Sequence, residues 1–183
     1  MLQSVLGRLV GEAASERPDL LAAPVVAAIP GIEALVAPID PELADTAAFC
    51  EAYAVRPEDS ANCVVVAGKR DGEMRYAACM ILATTRADVN GVVRKHLDVR
   101  KASFAPMAEA VELTGMEYGG ITPIGLPPGW PILVDAAVAK ADAVVVGSGI
   151  RGSKIAISGA ALVALPGAVV IEGLGNAVAP VQA

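Results

Sequence analysis

The sequence predicts one α+β domain built around a mixed β-sheet. Strand-like and helix-like segments alternate along the chain. Some neighbouring strands are joined by tight turns, which gives antiparallel pairs, while others are separated by a helix, which allows parallel pairs. The chain has 183 residues, which is the length of one ordinary domain that can bury its own core.

The first part of the chain predicts two helices on either side of a strand. Apolar residues recur at helical spacing over residues 4–14, and residues 32–36 are typical of a strand. Asp40 followed by Pro41 predicts a helix start, and this helix should run to about residue 53. The apolar run 24–29 fits either type of element.

The middle of the chain predicts a hairpin followed by two helices. Asp71-Gly72 supplies the positive φ angles of a tight turn between strands 62–67 and 74–83. Asp88 is a good cap for a helix over 89–97. A short strand at 101–104 and a helix from Pro106, ended by Gly115, should follow.

The last third predicts short strands around two glycine-rich segments. Residues 117–131 hold four glycines and four prolines, so they should form a long loop. Strands are expected at 132–134, 143–146, 154–157 and 168–171, with a helical turn near residue 137 and a helix over 158–165. Residues 174–183 are expected to be a disordered tail after a single domain over 1–173.

Composition excludes several classes of protein. The net charge of −6 and the 3% of aromatic residues argue against broad nucleic-acid binding and leave only a small local contact. We therefore expect any nucleobase that the protein contacts to rest on aliphatic and glycine surface. The three cysteines and one histidine do not form a metal pattern. No apolar run reaches the roughly 20 residues of a membrane span, and we expect no secretory signal and a cytoplasmic location.

The two glycine-rich segments are the best candidates for a binding site. Residues 147–152 contain G-x-G-x-x-G, but a strand follows, so the dinucleotide-binding interpretation is rejected. Free backbone N–H groups in glycine loops bind phosphate or carbonyl oxygens. If the two loops meet, Asp135, Arg151 and Lys154 would add charge to a pocket for a small acyl or phosphate-bearing end.

At this point the sequence resembles the YbaK/EbsC family, the prolyl-tRNA-synthetase-associated editing domain. Its most specific match is G-G-I-T-P-I-G over residues 119–125, which fits the pattern G-G-x-[ST]-P-x-G. Asp135 after its strand and the glycine run before Lys154 support the resemblance. It covers residues 46–173, and residues 1–40 diverge.

The resemblance implies a fold and an activity. The fold would be a strongly curved mixed sheet of six to seven strands flanked by helices. The activity would be a trans-acting aminoacyl-tRNA deacylase that removes a small amino acid from mischarged tRNA without a metal or cofactor. Contact would be local, at the tRNA 3′ end, with no DNA or membrane partner; a weak homodimer stays open. The implied substrate-binding residues are Gly119, Gly120, Thr122, Pro123, Gly125, Gly147, Gly149, Arg151 and Gly152.

The sequence departs from the family at its functional lysine, where Asn62 stands. Asparagine keeps its hydrogen-bonding ability but has no charge, and a charge-assisted bond is roughly twice as strong. We take Asn62 and Asp135 as the candidate catalytic residues, Asp135 to orient water or the substrate ammonium. The open alternatives are a structural asparagine, a carboxylate that caps the turn after its strand, and a solvated hairpin arginine at Arg151. The protein could then be a silent homologue that binds an acceptor end or an acyl-nucleotide, or have a structural role in a synthetase assembly.

Overall fold

The computed structural model describes residues 1–178, and its strands fall into three sheets. The strands are β1 (Glu12–Ala13), β2 (Ala34–Pro38), β3 (Ala61–Arg70), β4 (Glu73–Leu82), β5 (Thr85–Ala87), β6 (Ala102–Phe104), β7 (Ile132–Asp135), β8 (Val144–Gly147), β9 (Ser153–Ile157), β10 (Ala168–Ile171) and β11 (Gly175–Ala177).

The sheet topology is mixed, as predicted. The larger sheet has five strands in the order β10-β7-β4-β3-β6, and β7 runs parallel to both β4 and β10. The second sheet has four antiparallel strands in the order β1-β2-β9-β8. A parallel bridge joins Ser60, which directly precedes β3 of the larger sheet, to Val145 of β8 in the second sheet. The α+β class is confirmed, with the strands divided between two principal sheets and the small pair β5–β11.

Short helices pack around these sheets. They are α1 (Ala23–Ala28), α2 (Thr46–Tyr53), α3 (Arg94–Leu97), α4 (Met107–Thr114), α5 (Ala136–Ala139) and α6 (Gly159–Val163). The Asp88 carboxylate accepts hydrogen bonds from the Gly91 and Val92 amides, so its capping role is confirmed, although the first turn is π-helical. Within residues 1–178, no helix combines the length and the apolar character that crossing a membrane requires.

The predicted helix over residues 4–14 is wrong. A 3-10 helical turn covers only Leu2–Leu6, and Gly7 then takes a φ of 58°. A Cβ at Gly7 would lie 2.2 Å from the Tyr53 carbonyl oxygen at the end of α2. The turn at this position therefore requires glycine, and the helix ends there. The helix expected from Asp40 is also divided. Asp40 caps a single 3-10 turn, and α2 begins separately at Thr46.

The chain after residue 173 is ordered up to the end of the described part. Leu174 is fully buried among apolar residues of the larger sheet, and Gly175–Ala177 forms β11 against β5. The prediction of disorder is therefore wrong for residues 174–178, because Leu174 has an apolar site to fill. The rest of that predicted tail, residues 179–183, lies outside the described residues.

Leu174→Ala should lower the free energy of unfolding by about 2–5 kcal/mol, because it leaves a cavity under the larger sheet. Urea denaturation followed by circular dichroism measures this change. The matched control is Val178→Ala at a half-exposed site, which should change stability by no more than about 0.5 kcal/mol. Equal, small effects of both substitutions would contradict an ordered Leu174.

Candidate active site

The two glycine-rich loops meet in space, which is the condition under which the sequence analysis expected a shared pocket. We call residues 117–131 the glycine-proline loop and residues 147–152 the glycine turn. The Gly149 amide donates to the Gly120 carbonyl oxygen at 2.7 Å, and the Glu117 amide donates to the Gly149 carbonyl oxygen at 2.8 Å. These two backbone bonds hold the glycine-proline loop against the end of β8.

The backbones of the two loops approach too closely for side chains. A Cβ at Gly147 would lie 2.5 Å from the Gly120 carbonyl oxygen and 2.8 Å from that of Ile121. A Cβ at Gly120 would lie 2.6 Å from the Ile150 carbonyl oxygen. Glycine is therefore required at both positions by the close approach of backbone atoms.

A cavity of about 310 Å³ opens beside this junction. Three residues predicted from the sequence contribute to its wall: Asn62 from β3, Gly119 from the glycine-proline loop and Gly147 from the end of β8. Lys154 of β9, one of the three charged residues that the sequence analysis expected at such a pocket, also lines it, as does Thr46, the first residue of α2. The structure thus brings together one predicted catalytic residue and two predicted substrate-binding residues.

Asn62 is half-buried and held from one side. Its Oδ1 accepts a hydrogen bond from the Thr46 hydroxyl at 2.8 Å. Within residues 1–178, its Nδ2 group has no acceptor at hydrogen-bond distance, so it can donate to a ligand in the cavity. The position predicted to carry the reaction therefore offers a neutral donor.

Lys154 is a charged group in the cavity wall whose burial the sequence did not predict. It is only 9% exposed, its Nζ donates to the Ala44 carbonyl oxygen at 3.0 Å, and the ammonium lies 5.2 Å from the Phe49 ring centroid. Burial lowers the pKa of Lys154 from its usual value. The signal in the sequence was a single lysine in the strand S-K-I-A-I, whose other residues are apolar or small.

Arg151 holds the loops together. Its Nε donates to the Pro41 carbonyl oxygen and its Nη1 to the Tyr118 carbonyl oxygen, both at 3.2 Å. Its backbone amide donates to the Glu117 carboxylate at 3.0 Å. The Asp45 carboxylate lies 3.8 Å from the guanidinium. Because of these contacts, Arg151 is not a solvated hairpin residue. Arg151 does not line the 310 Å³ cavity, so a phosphate contact by this residue stays a prediction.

Asp135 lies away from the cavity. It is buried at the end of β7, and its Oδ1 accepts a hydrogen bond from the Gly175 amide at 3.2 Å. It is not among the residues that line the cavity. The observed contact is structural, since it fastens the ordered C-terminal segment to β7. Its catalytic role stays a prediction that this geometry does not support.

The remaining predicted residues anchor the two loops on the core. Gly125 and Gly149 have positive φ angles and pack tightly on the start of α1. The Gly152 carbonyl oxygen accepts from the Ile39 amide at 2.9 Å. Thr122 and Pro123 are buried, and the Thr122 hydroxyl has no hydrogen-bond partner within residues 1–178. None of these five residues lines the cavity.

Aromatic rings do occur at the cavity. Phe104 and Tyr118 both line it, and both side chains are largely exposed. The low aromatic content therefore does not leave the site without a flat apolar surface, which corrects the expectation of purely aliphatic and glycine surroundings. Exposed rings of this kind can stack on a nucleobase.

Cysteine chemistry is suppressed at this site. Cys63 lines the cavity, but burial strongly raises the pKa of its thiol. Burial also raises the pKa of Cys79 to about 12 and that of Cys50 above its usual value. A thiol with a raised pKa is protonated at neutral pH and is a poor nucleophile. Within residues 1–178, no group of three or more His, Cys, Asp or Glu side chains could hold a metal ion.

Gly147→Ala should lower the free energy of unfolding by about 1–3 kcal/mol, because its Cβ would push the two backbones apart. Gly152→Ala is the matched control, since its nearest heavy atoms would lie 3.9 Å away. This control should change stability by no more than about 0.5 kcal/mol. Chemical denaturation compares the two variants. A Gly147→Ala protein as stable as the wild type would contradict the close approach.

The native thiols should react slowly with iodoacetamide at pH 8, because their raised pKa values keep the reactive thiolate scarce. Mass spectrometry over time measures the alkylation of each cysteine. The urea-unfolded protein is the control and should react fully. Alkylation of native Cys63 at the unfolded rate would contradict this account.

Comparisons with known proteins were made for sequence and for structure. The family model described as the aminoacyl-tRNA editing domain matches residues 40–165. No curated protein matches the chain. The fold is similar to that of several solved structures.

One similar structure is a proposed trans-editing enzyme for prolyl-tRNA synthetase, with 18% identity, a TM-score of 0.69, and coverage of 82% of this chain and 94% of that chain. Another, a scaffold from work on epitope backbone grafting, has 19% identity, a TM-score of 0.70, and coverage of 82% and 95%. A third, described as a hypothetical protein, has 24% identity, a TM-score of 0.64, and coverage of 76% and 86%. These structures support the fold, and the family model covers more than half of the sequence. The chain belongs to the aminoacyl-tRNA editing domain family.

Proposed function

We propose that this protein is a trans-acting aminoacyl-tRNA deacylase that hydrolyses the ester of tRNA mischarged with a small amino acid. The observation that carries the proposal is the cavity at the loop junction. There the Asn62 amide, the backbone of Gly119 and Gly147, and the Lys154 side chain surround one space in a member of the editing family. Backbone groups and a neutral amide suit a substrate whose reacting group is an ester.

The size of the cavity favours a small ligand group. Its volume of about 310 Å³ is at the lower end of the roughly 300–1,000 Å³ of typical ligand sites. Ala44, Ala61 and Val145 form part of the wall. Such a space suits the terminal nucleoside with a small amino acid, and it leaves the rest of the tRNA outside. An acidic protein can make this contact because it needs no long basic surface.

The reaction needs only water as a co-reactant. The water oxygen bonds to the ester carbonyl carbon, and the bond from that carbon to the ribose oxygen then breaks. The ribose oxygen takes up a proton, and the products are the free amino acid and the uncharged tRNA. An aminoacyl ester is already activated, and its neighbouring ribose hydroxyl can assist. The protein mainly has to position water and stabilise the oxyanion.

We assign these tasks to groups in the cavity wall. The Asn62 Nδ2 group would donate to the ester carbonyl, while Thr46 fixes the orientation of the amide through Oδ1. Backbone groups of the glycine-proline loop at Gly119 would hold the 3′ adenosine. A water-orienting role for Asp135 requires a rearrangement of its contact with Gly175.

A non-catalytic binding protein is the second candidate. The hydrogen bond from Thr46 already satisfies the Asn62 carbonyl oxygen, as expected for an asparagine with a structural role. Such a protein would bind an acceptor end or an acyl-nucleotide without releasing the amino acid.

Release of amino acid from tRNAs charged with Ala, Cys, Ser or Thr tests the proposal. The wild type should deacylate at least one of them, and Asn62→Ala should lower the rate by about 10²–10³, the cost of removing an oxyanion donor. Asp135→Ala should keep the rate per folded molecule, because its carboxylate lies outside the cavity wall. The rate measurement is single-turnover loss of the labelled amino acid.

Asn62→Lys separates the two candidates. Activity in this variant alone would assign the wild type to the binding class. Loss of activity in Asp135→Ala, with folding intact, would contradict our placement of the reaction. No release by the wild type above the buffer rate for all four substrates would refute the deacylase for small amino acids.

A further inference from the structure

The Lys154 ammonium is buried at the cavity and forms no ion pair with a carboxylate within residues 1–178. We propose that Lys154 binds a phosphate oxygen of the ligand, namely the phosphodiester next to the terminal nucleoside. Lys154 thereby supplies from β9 the positive charge that Asn62 on β3 does not carry. The nucleotide assignment rests on the proposed function, but phosphate binding itself can be measured without any deacylation.

The first step in the argument is the cost of burial. Lysine is almost never buried unless it is paired, because its charge loses hydration. Lys154 is 9% exposed, yet its ammonium has only the Ala44 carbonyl oxygen and the face of the Phe49 ring as partners. An ammonium has three donors. At least one donor of Lys154 is therefore available to a ligand in the cavity that this residue lines.

The second step is the absence of a counter-ion in the described part of the chain. Within residues 1–178, no carboxylate lies within 4.0 Å of the Lys154 ammonium. The nearby Asp45 side chain is 77% exposed and lies 3.8 Å from the Arg151 guanidinium. An anion that binds beside a buried ammonium offsets the free-energy cost of burying its charge. The attraction between the two charges is strong because the site is poorly hydrated.

The third step is the surroundings of the charge. Asp45 and Thr46 line the same cavity at the start of α2, an eight-residue helix whose N-terminus carries partial positive charge. Lys154 and the N-terminus of α2 thus both present positive charge to this cavity, and the exposed Asp45 carboxylate in its wall lies 3.8 Å from the Arg151 guanidinium. This local arrangement occurs in a protein whose net charge is −6.

The fourth step identifies which part of the substrate is the anion. The amino acid on a charged tRNA carries an ammonium, which Lys154 would repel, and the ester is neutral. The nearest permanent anion is the phosphodiester on the 5′ side of the terminal nucleoside. Contact with Lys154 would place that phosphate toward β9 and leave the ester near Asn62 and Gly119. Lys154 would thus set the direction in which the acceptor end enters.

Adenosine 5′-monophosphate and adenosine are the probes, because they differ only in this phosphate. Calorimetric titration should show that the wild type binds the monophosphate about tenfold or more tightly, as expected for a hydrogen bond to a charged group. Lys154→Gln should abolish this preference and leave adenosine binding unchanged. Glutamine keeps a donor for the Ala44 carbonyl oxygen, so this variant should fold.

Lys140→Gln is the matched control. This lysine is 77% exposed, and its ammonium lies 3.9 Å from the Glu172 carboxylate, away from the cavity. It should keep the full preference for the monophosphate. Lys154→Met provides a second charge-free variant, and thermal unfolding by circular dichroism establishes that each variant is folded. Inorganic phosphate should compete only weakly, because it lacks the nucleoside.

Each outcome decides the proposal. Equal binding of both probes by the wild type, or an unchanged preference in Lys154→Gln, would overturn it. Competition by inorganic phosphate as strong as by the monophosphate would overturn the nucleotide assignment. A Lys154-dependent preference in a protein that releases no amino acid would sustain this inference while the deacylase fails. Deacylation without a preference for the monophosphate would support the deacylase and overturn this inference.

Discussion

Backbone pairing between the glycine-proline loop and the glycine turn is the constraint on which the site depends. The bonds between Gly149 and Gly120 and between Glu117 and Gly149 hold a loop that lacks regular structure against the end of β8. The close approach leaves no room for a Cβ at Gly147 or Gly120. This contact holds together the segments that bring Gly119 and Gly147 into the wall of the cavity that Asn62 also lines.

The charge distribution explains how an acidic chain can belong to a family that acts on tRNA. The net charge of the whole chain is −6, whereas the positively charged Lys154 is buried beside the cavity. Salt screens a buried charge much less than an exposed one. The proposed contact with one or two nucleotides is consistent with this arrangement, and Phe104 and Tyr118 are exposed rings at the same cavity.

Local signals in the sequence predicted much of the fold. Asp71-Gly72 predicted the β3–β4 hairpin, and Asp88 predicted a helix cap. The glycine and proline residues predicted the long loop. These three features could be predicted because each depends only on residues that are neighbours in the sequence. Contacts between distant segments were missed. Leu174 is ordered because the larger sheet has a site for it, and that site is assembled from remote parts of the chain.

The same limit applies to the site residues. Asn62, Gly119 and Gly147 were predicted from motif position and do line one cavity. The burial of Lys154 was missed, because it depends on contacts with a distant segment, namely Ala44 before α2 and Phe49 within α2. The family motif alone gave no way to know that Asp135 faces the C-terminal segment, whose Gly175 amide it binds.

The most direct test of the central claim is where an uncleavable substrate analogue binds. An adenosine that carries alanine through a 3′ amide can be titrated into labelled wild-type protein and followed by amide chemical shifts. The account predicts the largest shifts at Asn62, Gly119 and Gly147, around the cavity. Shifts centred on Asp135 and Gly175, with none at these three residues, would contradict it.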